Sequence, residues 1–139
     1  MPEVQVNYLG VFLAGLAAMV VGSIWYSKPV FGKMWMKMVG LTDEKQKSGG
    51  MKPLVIAAVL SFITAYVLAH TIELSYAYFG RPYVETGLIT GFWLWLGIAF
   101  TQMVMHDAFE QRPMKLTFLN VMSQLVTLLA MGLVLGLVR

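Results

Sequence analysis

Four long stretches of this chain carry no charged side chain: residues 4–27, 53–72, 86–106 and 116–138, of 24, 20, 21 and 23 residues. Each meets the ~20 residues that a helix needs to cross ~30 Å of hydrocarbon. A helix satisfies its own backbone N–H and C=O groups, whereas an isolated strand in lipid leaves them unpaired. The chain is therefore expected to be all-α, an integral membrane up-down four-helix bundle with spans at about residues 6–27, 53–73, 85–106 and 116–138. Together the stretches hold 88 of the 139 residues, which leaves no room for a separate soluble domain, and residues 1–139 are read as a single transmembrane domain.

Composition agrees, with 58% hydrophobic and 12% charged residues against about 25% charged in a typical soluble domain. That excludes a soluble enzyme, a nucleic-acid-binding domain and a disordered tail; no nucleic-acid partner is expected. Cysteine is absent from the sequence, which excludes disulfides, thiolate metal sites and cysteine nucleophiles. The first stretch differs from a secretory signal. Met1-Pro2-Glu3 lacks the Lys or Arg of an n-region, and the apolar run exceeds the usual ~7–15 residues. It is read as a retained span.

Orientation follows from the cations. The first connection holds Lys28, Lys33, Lys37, Lys45, Lys47 and Lys52, and the third holds Arg112 and Lys115. The opposite side has only Arg81 and Arg139. Positive charge stays with the cytoplasmic leaflet, so this bias of eight to two predicts inner first and third connections and both termini outside.

Lipid gives helices no hydrophobic incentive to associate, so small residues must allow close packing. Such residues recur at four-residue spacing in every stretch: Ala14, Ala18 and Gly22; Ala57, Ser61, Ala65 and Ala69; Gly87 and Gly91; Gly132 and Gly136. Four stripes in four spans point to interfaces rather than to chance composition. The Gly132–Gly136 pair is expected to be a spare face serving a homo-oligomer.

Residues 28–41 read as an amphipathic helix lying in the membrane interface. Phe31, Met34, Trp35, Met38, Val39 and Leu41 share one face; Lys33 and Lys37, on the other, would meet anionic lipid headgroups. Trp25 and Tyr26 suit an aromatic belt, and Pro29 is expected to stop the first span. The favoured reading of this segment is an anchor that orients the bundle. The alternative is an adaptable flap built from Met34, Met36 and Met38. Thr42 is placed to cap a short polar helix, and Ser48-Gly49-Gly50 reads as a hinge.

Chemistry-bearing residues are few. His106 and Glu110 are four apart near the end of the third stretch, but a metal would need a further ligand, and His70 lies at the opposite membrane face. No metal, no cofactor and no catalytic residue is expected. The favoured role for Glu110 is an ion pair with Arg112 or a lysine of the first connection. At the other face, His70, Glu73, Arg81 and Glu85 read as a solvated ion-pair cluster. Asn120, Ser123, Gln124 and Thr127 form a polar stripe along the fourth stretch, with Gln102 on the third. The stripe serves either as hydrogen-bonding glue between helices, the favoured reading, or as the lining of a small polar cavity.

Two local patterns carry a family likeness. One is Trp25-Tyr26-Ser27-Lys28-Pro29, with Phe31-Gly32-Lys33 and Trp35 after it and Asn7-Tyr8 before it. The other is Phe109-Glu110-Gln111-Arg112-Pro113, followed by Leu116 and Asn120. With four spans, they resemble the bacterial family called domain of unknown function 1761, although Lys28 stands where a small or apolar residue is expected. The resemblance implies a bacterial inner-membrane protein and no known activity. It also implies that the two motifs form one cytoplasmic site, for which Tyr26, Trp35, Glu110, Arg112 and Asn120 are the candidates, with Gln124 on the neighbouring stripe. The functional expectation is a non-enzymatic, oligomeric membrane component that contacts lipids or proteins at its cytoplasmic rim. A small transporter or channel using the polar stripe is the alternative. A membrane enzyme built on His106, Asp107 and Glu110 is disfavoured, because it lacks a nucleophile or metal constellation.

Overall fold

The computed structural model describes residues 3–139. Met1 and Pro2, on which the reading of a retained first span partly rests, lie outside the described residues. Every regular element among the described residues is helical. α1 spans Tyr8–Trp25 and begins at Asn7, whose side chain accepts from the Leu9 and Gly10 N–H groups. A π-helical segment, Lys28–Gly32, leads into α2, Lys33–Val39, and then α3, Asp43–Ser48. α4 covers Lys52–Phe79. α5, Tyr83–Leu94, continues through a second π-helical segment, Trp95–Phe100, into α6, Thr101–Phe109. α7 covers Met114–Leu137. Four helices are long and apolar enough to cross a membrane: α1, α4, the continuous Tyr83–Phe109 rod, and α7.

Local chemistry sets several of these boundaries. Pro29 does not terminate α1, contrary to expectation: the helix already closes at Tyr26, and Pro29 sits in the first turn of the π segment, where its missing N–H costs no hydrogen bond. Gly40 and Gly80 take left-handed φ values of 72° and 62° and end α2 and α4. α4 runs seven residues past the uncharged stretch, through Glu73 to Phe79. At 1.5 Å per residue its 28 residues reach about 42 Å, well beyond the hydrocarbon thickness.

The long helices form a ring in chain order, α1 beside α4, α4 beside α5, α5 beside α7, and α7 back against α1. α5 and α7 approach most closely. Gly87 and Gly132 face each other so tightly that a Cβ on either would run into the other's carbonyl oxygen. A Cβ on Gly91 would lie 2.7 Å from the Leu128 oxygen, and one on Gly136 2.7 Å from the Val84 Cα. This corrects the expectation for the Gly132–Gly136 pair: it is not spare, because both residues are buried against α5 within the same chain. Across the bundle, Ala14 and Ala18 of α1 and Ala65, Leu68 and Ala69 of α4 join Met131 and Leu135 of α7 in one core. The ring of Phe62 lies over Gly15 and stacks on Phe12, with centroids 5.6 Å apart.

The α4 stripe divides. Ala65 and Ala69 are buried, whereas Ala57 is exposed and Ser61 half-buried. α4 therefore packs from Ser61 and Phe62 onward, which reach α1, and is largely exposed before them, making no contact with α6. This divergence leaves a cavity between α1, α4 and α7.

Candidate functional site

The first motif folds as a tight knot at one end of the bundle. The Ser27 carbonyl accepts the N–H of Val30 at 3.1 Å and of Gly32 at 2.7 Å. Position 32 requires glycine, since a Cβ there would meet the Ser27 carbonyl carbon at 2.6 Å. Phe31 folds back on Trp25, with ring centroids 4.7 Å apart, and Trp35 sets its edge to Tyr26 at 5.2 Å. The Tyr26 hydroxyl donates to Asn120 Oδ1 at 2.8 Å, and Ser123 lies beside the same phenol. Through this one residue α2 is tied to α1 and α7 together.

On the rest of this segment, Lys33 and Lys37 are exposed. Phe31, Trp35, Met38 and Leu41 of the expected apolar face are half-buried, while Met34 and Val39 are exposed. Thr42 caps α3 as expected, accepting the Lys45 N–H at 3.2 Å. Lys28 reaches Asp43 at 3.0 Å and so ties the start of the segment to α3. Its ammonium donates to that carboxylate and attracts it, which holds the Asp43 carboxyl below the ordinary carboxylate range.

The second motif builds the turn between α6 and α7. Gln111 adopts a left-handed φ of 55°, and the Arg112 N–H bonds back to the Asp107 carbonyl at 3.0 Å. Arg112 Nε pairs with Glu110 at 2.6 Å and with Asp107 at 3.9 Å. Asp107 in turn accepts the Thr117 hydroxyl at 2.7 Å from the first turns of α7. The favoured partner of Glu110 is therefore the one present, Arg112. The structure brings Tyr26, Trp35 and Asn120 together. Glu110 and Arg112 pair with each other in the turn between α6 and α7.

Between these rim features lies a cavity of about 630 Å³, bounded by α1, α4 and α7. Its polar wall comes from Ser123, Gln124 and Thr127 on α7 and from Ser61 and Thr64 on α4, with Tyr26 at the rim. Gln46 of α3 and Gly50 close part of the open end. One residue of the stripe is glue between helices: Asn120 is taken by Tyr26 of the α1 end, whereas the Thr127 hydroxyl donates within α7 to the Ser123 carbonyl at 2.8 Å. Gln124 is exposed, with no side-chain hydrogen-bond partner among the described residues. Gln102 is also exposed but does not line the cavity, so it is not part of a path with the α7 stripe.

The opposite end is locked by aromatic and charged groups. The Tyr83 hydroxyl donates to Glu73 at 2.8 Å, and Arg139 lies 3.6 Å over the Tyr83 ring and 4.6 Å over that of Tyr76. The expected four-residue ion cluster is divided. Arg81 pairs with Glu85 at 3.5 Å, Glu73 turns to Tyr83, and His70 Nδ1 meets its own helix at the Tyr66 carbonyl. No group of three or more His, Cys, Asp or Glu suited to a metal occurs among the described residues.

Sequence reasoning missed the pairing of Asp107 with Thr117, which crosses a turn and leaves no periodic signal, and Trp95, whose indole N–H donates to the Val121 carbonyl at 2.7 Å. It also missed α4's part in the cavity: Ser61 reads there as one more small residue, and Thr64 stands outside the stripe.

Residues 9–136 match the family described as Protein of unknown function (DUF1761), and the chain belongs to that family. No curated protein and no solved structure matches it.

Proposed function

From that membership and the geometry of the rim, we propose that this DUF1761 protein is a non-enzymatic component of a bacterial inner membrane. It crosses four times, with both termini outside, assembles with copies of itself and acts through lipid and protein contacts at its cytoplasmic rim. The observation that carries the reading is the rim itself. α2 is moored to the bundle through Tyr26, Trp35 and Asn120 while Lys33, Lys37, Met34 and Val39 remain exposed. Cations above and apolar side chains below suit an anionic lipid interface.

Because the sequence has no cysteine, single cysteines report sidedness cleanly. Lys45→Cys in intact cells is expected to resist a membrane-impermeant maleimide and to react after lysis; labelling from outside reverses the topology. Native mass spectrometry from mild detergent is expected to show an oligomer retaining anionic lipid, with the lipid lost in Lys33→Gln/Lys37→Gln. A lipid-free monomer would remove the reading. The cavity beside Ser123, Gln124 and Thr127 favours a second reading, a small transporter. Solute flux in proteoliposomes that depends on Gln124 would support it.

A further inference from the structure

We propose that the wedge between α1, α4 and α7 binds an uncharged amphiphile of the membrane, a lipid with hydroxyl or ester groups at its head, which enters sideways between α4 and α6. Four features carry this. The cavity, at about 630 Å³, falls within the roughly 300–1,000 Å³ of small-molecule pockets. None of its lining residues is charged, so an ionic ligand would lose its hydration with nothing to replace it. The wall nonetheless offers hydroxyls and an amide at bilayer depth. Gln124 in particular lines the cavity with an amide that has no hydrogen-bond partner among the described residues. Only an uncharged hydrogen-bonding head satisfies both conditions, and the apolar side chains of Leu54, Leu60, Leu128 and Met131 on the same wall suit its acyl chains.

Access comes from the divergence of α4. It touches neither the Trp95–Phe100 segment nor α6, so the wedge opens to the lipid at its side as well as at its rim. On the α1 wall, a Cβ added at Gly22 meets nothing within 4 Å. The space is open at the depth where Gln124 stands ready to bind. From the proposed function this inference takes only the placement of the rim in the inner leaflet, not the role of Lys33 and Lys37.

The test uses the full chain in phosphatidylcholine nanodiscs with a trace of diacylglycerol carrying a photoactivatable diazirine. Cross-links are expected on cavity-facing peptides of α1, α4 and α7, suppressed by unlabelled diacylglycerol but not by phosphatidylglycerol. Gln124→Leu, which removes the amide, is expected to cut labelling about fivefold, as for one net hydrogen bond, and Gly22→Leu, which fills open space, at least as much. Neither should lower the thermal midpoint of the parent. The double variant Lys33→Gln/Lys37→Gln should label like the parent, so failure of the rim reading leaves this result standing. Labelling spread over the lipid-facing surface overturns the proposal. So do equal competition by phosphatidylglycerol, indifference to both cavity variants, and a second copy of the chain cross-linked in the wedge.

Discussion

A single hydrogen atom in place of a side chain decides whether α5 and α7 can meet. At Gly132 the facing group is the backbone of Gly87, which cannot swing aside as a side chain could. Gly132→Ala is therefore expected to cost at least the roughly 1–3 kcal/mol of an overpacked core, read as a lower midpoint in denaturation from detergent. Gly22→Ala places the same methyl in open space and should be neutral or stabilising, by up to about 1 kcal/mol. Since alanine is the better helix former, an equal loss at Gly22 would mean that this position is closely packed after all. Tyr26 and Asn120 offer a second comparison. Tyr26→Phe and Asn120→Leu should each lower stability by roughly 0.6–2 kcal/mol, and the double variant should lose less than their sum.

Among the elements, the connections carry most of the specificity. The π segment before α2 exists because Gly32 can press against Tyr26 and Ser27. Gly32→Ala should open that turn and free α2 while the long helices persist, seen as faster trypsin cleavage at Lys33 and Lys37 with helical circular dichroism unchanged. At the α6–α7 turn two acids share Arg112 unequally. Glu110 is about half exposed, so Glu110→Gln should cost under about 1 kcal/mol. Asp107, with 13% of its side chain exposed, also holds Thr117, and Asp107→Ala should cost more because it leaves the buried Thr117 hydroxyl unpaired. Thermal melts of the two variants in one detergent would settle the order, and a reversed order would move the clamp from Asp107 to Glu110.

For the molecule as a whole, the two ends of the bundle differ in kind. One is closed by Tyr83, Glu73, Tyr76 and Arg139 over a packed core, while at the other α4 leaves its neighbours. Hydrogen exchange in nanodiscs is thus expected to be faster in the first half of α4 than in its second half, although both are apolar. Uniform protection along α4 would imply that the wedge closes in the membrane, with Ala57 and Ser61 packing as their spacing suggests.

Four helices follow from the chain's hydropathy alone, because a bilayer imposes its thickness on every uncharged run and its polar-group rule on every backbone. The small-residue stripes were legible for the same local reason, and Gly87 and Gly91 do face α7. Spacing says that a stripe can pack, but not against which helix. Gly132 and Gly136 were thus assigned to another copy, and Ala57 was assigned to an interface it does not make. The pairing of Tyr26 with Asn120 joins residues 94 apart, and the wedge arises where the start of α4 diverges from its neighbours. Such features depend on the relative placement of distant helices, which no single stretch of chain encodes. That is why the framework could be read residue by residue, while its partners, its clamp and its cavity became visible only once the helices stood together.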